Sequence, residues 1–81
     1  MSEYTVKTPQ QLGAILAGYR KERNLTQVEL GAKLGVAQTV VSLLEKDPQR
    51  ASLARVFKLV SALELDLVVR PREAASKPSE W

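Results

Sequence analysis

The chain has 81 residues, 44% hydrophobic and 26% charged, with a net charge of +3, which suits one small domain with one modest core. It contains neither Cys nor His. That excludes disulfides, thiolate nucleophiles and imidazole acid–base catalysis, and leaves a metal only carboxylates, so no enzyme, cofactor, metal or small-molecule substrate is expected.

The start, Met1-Ser2-Glu3-Tyr4, lacks the basic and apolar regions of a signal peptide, and no run approaches the about 18 apolar residues of a membrane span. A bacterial-style cytoplasmic protein without membrane contact is the expectation. Thr8-Pro9-Gln10-Gln11 opens a first helix: Thr8 caps, Pro9 suits the first turn and Gln11 completes a capping box. Leu12, Ile15, Leu16 and Tyr19 give it one apolar face, and Asn24 ends it by taking the left-handed conformation.

Thr26 opens a second helix with Glu29 as its box partner, and Gly35 closes it. A third runs from Gln38 to Lys46, stopped by Asp47-Pro48. Ser52 caps a fourth, with an expected inward stripe of Leu53, Val56, Phe57, Val60 and Leu63. The period then changes to two over Glu64–Arg70, ended by Pro71, which reads as a strand. Residues 73–81 read as a flexible tail, so the division is a 1–72 domain and a 73–81 tail.

The second and third helices are too short to stand alone and must pack on neighbours. The break at Gly35-Val36 lets one cross the other steeply. Gly31, costly inside a helix, is tolerable if its missing side chain admits the third helix. Leu30, Gly31, Leu34, Gly35, Val36, Val41 and Leu44 then form one inside set with helix-turn-helix spacing. Charge agrees: residues 20–58 carry eight basic residues against four acidic, and the remainder four against five, a basic bias suited to nucleic acid.

The stretch "TQVELGAKLGVAQTVVSLLE" resembles the lambda-repressor/Cro-like (Xre) helix-turn-helix family, over roughly residues 8–63. A recognition helix enters the major groove by its N-terminal turns, where side chains must be short. Gln38 suits an adenine edge, Thr39 offers a hydroxyl or a methyl, and Ser42 reaches a base or phosphate. The resemblance implies base reading by Gln38, Thr39 and Ser42 and a phosphate contact by Gln27. Leu43 departs from the polar or basic reader that relatives often place there, and either reads thymine methyls or leaves that base pair unread. Lys33, Lys46 and Arg50 are further phosphate candidates. Val28 and Val40 are divided between surface and core.

A lone strand is an unpaired edge. Tyr4-Thr5-Val6 is one possible partner. A second copy of residues 64–70, antiparallel, is better, because Leu65, Leu67 and Val69 of both protomers would form one apolar lid, with Val68 a further dimerisation residue of the same strand. Such a homodimer places two recognition helices about 34 Å apart on a palindromic duplex. The expected fold is therefore mainly α: a lambda-repressor-like bundle of four to five helices plus one C-terminal strand paired across a homodimer.

Including "LVSALELDLVVRPRE" and the tail ending in Trp81, the layout resembles HipB-type antitoxins. That resemblance implies repression of a shared operon, location with the nucleoid, and binding of a HipA-like serine/threonine kinase toxin. Trp81 is the expected anchor for that partner. The alternatives are a stand-alone Xre-family repressor without a toxin, and a protein-interaction module that has lost DNA binding.

Overall fold

The computed structural model describes residues 3–72; the expected tail and Trp81 lie outside them. Local chemistry sets where three of the four α-helices begin. The Thr8 hydroxyl accepts from the Gln11 amide at 3.1 Å and the Gln11 side chain accepts from Thr8 N–H at 3.2 Å, starting α1, Pro9–Glu22. Thr26 and Glu29 make the same reciprocal pair at 3.0 and 2.8 Å for α2, Gln27–Leu34. Both boxes satisfy amides that a helix start otherwise leaves without partners. Helix α3, Gln38–Lys46, begins at Ala37 with no side-chain cap. A 3₁₀ turn, Pro48–Arg50, leads to α4, Leu53–Ala62, which Ser52 caps through the Arg55 amide at 3.1 Å.

Three of the helices end alike. Asn24, Gly35 and Glu64 have φ of 57°, 73° and 60°. The next residue in each case, Leu25, Val36 or Leu65, donates its N–H five residues back, to Arg20, Gly31 or Val60. These are Schellman ends, and each is followed by an apolar residue that turns back onto the core. Asn24 and Gly35 fill the roles expected of them. Glu64, expected to begin a strand, instead belongs to the end of α4.

The core comprises Leu16, Leu30, Val41, Leu44, Val56, Leu59, Val60 and Leu63. The inward stripe of α4 is thus Val56, Leu59, Val60 and Leu63. Leu53 and Phe57, expected inside, are 69% and 49% exposed, and Leu59 is buried in their place. Both stripes satisfy the i, i+3, i+4 spacing, so periodicity alone leaves the phase open by about one residue; the tertiary core decides it, taking in Leu59 and leaving Phe57 at the groove between α2 and α4. In the helix-turn-helix set, Leu30, Gly31, Val41 and Leu44 are buried and Leu34 and Val36 half-buried, while Gly35 is exposed at the corner.

Two glycines set how closely the elements pack. A Cβ on Gly31 would lie 2.7 Å from the Val36 carbonyl oxygen and 3.5 Å from Val41 Cγ2. The tightest neighbour is the turn itself, with α3 in ordinary contact behind it. A Cβ on Gly13 would collide with the Glu45 carbonyl oxygen and lie 2.9 Å from its carbon, so α1 and α3 meet backbone to backbone there.

Beyond Leu65, residues 66–72 carry no regular secondary structure within one protomer. Leu65 packs on its own core, whereas Leu67, Val68 and Val69 are 48%, 72% and 95% exposed. The N-terminal arm meets this segment through the Glu3–Arg70 ion pair, 3.0 Å, while the Tyr4 ring stands edge-on to Tyr19 with centroids 6.2 Å apart. No helix among the described residues is long and apolar enough to cross a membrane.

Candidate nucleic-acid interface

Helix α3 carries its buried face through Val41 and Leu44 and turns Gln38 and Thr39, its first two residues, to solvent. Ser42 and Leu43 are half-buried behind them. With no capping side chain over Ala37, the first turn of α3 is unobstructed, and its amides are the positive end of a helix dipole. Val40 is half-buried against the core and Val28 is 64% exposed, so the two valines divide between inside and outside.

Gln27 opens α2 and lies along α3. Its Nε2 donates to Glu45 Oε1 at 3.0 Å, and its Oε1 accepts from Gln38 Nε2 at 2.5 Å. Gln38 and Glu45 are seven residues apart, two helical turns, and therefore share one face of α3. Behind Gln27, Arg20 of α1 grips the same carboxylate: Nε donates to Oε2 at 2.6 Å and Nη2 to Oε1 at 3.2 Å, while Nη1 donates to the Leu25 carbonyl at 2.7 Å. The two side chains are only 10% and 6% exposed. The result is a continuous line of hydrogen bonds from the interior to the surface: Arg20, Glu45, Gln27, Gln38.

Periodicity treated Arg20 and Glu45 merely as charges, but the sequence does hold a signal for them. Arg20 follows Leu12 and Leu16 at four-residue steps, and Glu45 follows Val41 by four. Each is an ionic residue at the margin of an apolar stripe, and the two are opposite in sign. Such residues are rarely buried unless paired. The consequence for the basic bias is direct: Arg20 contributes nothing to a surface patch.

The candidate phosphate contacts are not all gathered together. Lys46 is exposed at the end of α3 and makes no ion pair among the described residues. Arg50 is exposed on the 3₁₀ turn, 3.7 Å from Asp47. Lys33 instead borders a shallow groove between α2 and α4 with Phe57 and Lys58, on a different side of α2 from Gln27. Among the described residues no cluster of His, Cys, Asp or Glu could hold a metal. An exposed helix start backed by a polar line to the interior offers hydrogen-bond donors and acceptors to a flat polar edge. It offers no nucleophile with an adjoining base.

Comparison with known proteins agrees with this geometry. The family profile described as helix-turn-helix matches residues 16–69. A HipB antitoxin of Escherichia coli is 31% identical over an 87-residue alignment spanning all of this chain and 93% of the relative. Among solved structures, a HipB variant in complex with an O2 20mer superposes with a TM-score of 0.82 at 29% identity, covering 89% of this chain and all of that one. A HipA-HipB-O2-O3 complex gives 0.81 at 28% identity, covering 88% of this chain and all of its counterpart. The chain belongs to the helix-turn-helix family and, within it, to the HipB-type antitoxins.

Proposed function

We propose that this protein is a sequence-specific DNA-binding antitoxin that represses its own toxin–antitoxin operon and binds and neutralises a HipA-like serine/threonine kinase. The observation that carries the DNA reading is the Gln27–Gln38 hydrogen bond at the exposed start of α3. It uses one Nε2 hydrogen of Gln38 and leaves a second N–H and the carbonyl oxygen facing outward. A side-chain amide in that state matches the N7 acceptor and N6 donor of adenine. Thr39 lies beside it for a neighbouring base. Ser42 and Leu43 sit deeper, the second suited to a thymine methyl.

Phosphates flanking the groove fall to the second Nε2 hydrogen of Gln27, to Lys46 and to Arg50; Lys33, beside the α2–α4 groove, is the most remote of the four. Two copies joined through Leu65, Leu67, Val68 and Val69 would set two α3 helices on successive turns of a palindromic duplex. The HipB relative solved with a 20mer, which we read as an operator duplex, supports this assignment. The relative solved together with HipA supports the kinase partner. In the 73–81 tail, Trp81 is the aromatic anchor for that partner.

Selection from a random duplex pool should yield a palindrome, bound with an affinity that falls steeply with salt as phosphate counterions are released. Gln38→Ala should then reduce discrimination at one base pair of each half-site by ~1–3 kcal/mol, without altering the melting temperature. A uniform loss on selected and random duplexes alike would remove Gln38 from base reading. Calorimetry of the full chain with a HipA-family kinase tests the second half of the proposal. DNA binding without any kinase binding would identify a stand-alone repressor instead.

A further inference from the structure

An amide side chain is polar end to end: Nε2 only donates and Oε1 only accepts. Which base a glutamine prefers therefore depends on which way round its amide is held, and an exposed glutamine turns over at little cost. In this chain the orientation is imposed from within. Arg20 has only donors, and three of its hydrogen bonds are fixed at Glu45 and Leu25. The Glu45 carboxylate paired with it has only acceptors. Gln27 must then turn Nε2 toward Glu45, as it does at 3.0 Å, which forces its Oε1 the other way. Gln38 can meet that oxygen only with Nε2. Each link has one permitted direction because the first link is an ion pair.

We propose that Glu45 is a positioning residue for base readout. Its Arg20-held carboxylate sets the direction of the Gln27 amide and, through it, the direction in which Gln38 presents donor and acceptor to the DNA. The inference rests on the DNA-reading role proposed above and names the residue that makes that reading selective. Glu45 itself lies too deep to meet a base, with its side chain 6% exposed. Replacing the carboxylate by a group that both donates and accepts lets Gln27 and Gln38 turn over together. Gln38 then still forms hydrogen bonds, but with donor and acceptor exchanged, and the preference for adenine at that one position is lost.

The test uses the full chain, the duplex selected by it, and a set of duplexes each altered at one base pair. Gln38→Ala first identifies the base pair that Gln38 reads. Glu45→Gln should then lower discrimination at that pair about tenfold, the scale of one bidentate contact, and change the other positions less than twofold. In the Gln38→Ala background, Glu45→Gln should add no further loss at that pair. Because the Arg20–Glu45 pair is buried, a paired apolar replacement, Arg20→Met with Glu45→Leu, keeps the test open if the single variant does not fold; it should show the same position-specific loss.

Full discrimination retained in either variant would overturn the inference while leaving the reading by Gln38 intact. Equal loss at every position would reduce Glu45 to a structural role and overturn it too. If the unaltered chain selects no sequence at all, the DNA-reading proposal fails first and this one with it.

Discussion

Glu45 is held twice by α1, once through its backbone, which lies against Gly13, and once through its carboxylate, which Arg20 grips. A buried ion pair contributes little net stability, because desolvation offsets most of the attraction, but removing one partner strands a charge. Arg20→Ala should therefore cost ~3–5 kcal/mol, a large share of the ~5–15 kcal/mol available to a small domain, read as a fall in the urea midpoint. The paired change Arg20→Met with Glu45→Leu should restore most of that midpoint. Gly13→Ala should cost ~1–3 kcal/mol by the same measurement, because the new methyl meets backbone that has no rotamer to move aside. The candidate readers at the start of α3 were legible, since short polar residues stood out after a helix break. The line behind them was not, because Arg20 and Glu45 are 25 residues apart and periodicity within one helix says nothing about which charges meet across two.

Helix starts and stops were the most legible features of the sequence, because a cap is a local event: Thr8 with Gln11 and Thr26 with Glu29 act within one turn. Glu64 escaped the same reading. Its left-handed backbone, φ 60°, is imposed by Leu65 turning onto the core, a tertiary demand on a residue whose type disfavours it. Its carboxylate pairs with Arg23 at 2.7 Å, but side-chain exposures of 37% and 77% make that pair worth little. Glu64→Gly should therefore stabilise the protein by up to ~1 kcal/mol as the steric cost is relieved, raising the melting temperature by about 4–8 °C. A fall in melting temperature would show that the Arg23 pair outweighs the backbone strain. The phase of the α4 stripe was illegible for a related reason. Phe57 and Leu59 both satisfy a helical period, and only the assembled core decides that Leu59 goes in.

One protomer leaves Leu67, Val68 and Val69 exposed in succession at 48%, 72% and 95%, beyond a core whose last fully buried side chain is Leu63. The alternation from Leu65 to Val69 was legible as a strand pattern, but a strand needs a neighbour, and a sequence does not state which chain supplies it. Within the protomer the N-terminal arm meets this segment through the Glu3–Arg70 side-chain pair and forms no backbone ladder with it, while Tyr4 stands against Tyr19. A second copy of the same segment is therefore the partner we propose. Pairing would cover the face that carries Leu67 and Val69 and make stability depend on protein concentration. Val68→Pro tests this at the centre of the segment. Proline removes a backbone donor and fixes φ near −65°, away from the strand value, so it breaks a ladder from either side. Among the described residues none beyond Leu63 is fully buried, so the four helices should survive with unchanged far-ultraviolet circular dichroism. Sedimentation at micromolar concentration should give a dimer for the original chain and a monomer near 9.0 kDa for the variant. Its affinity for a palindromic duplex should fall toward that of a single half-site. A variant that still sediments as a dimer would move the interface to the exposed Leu53 and Phe57 of α4.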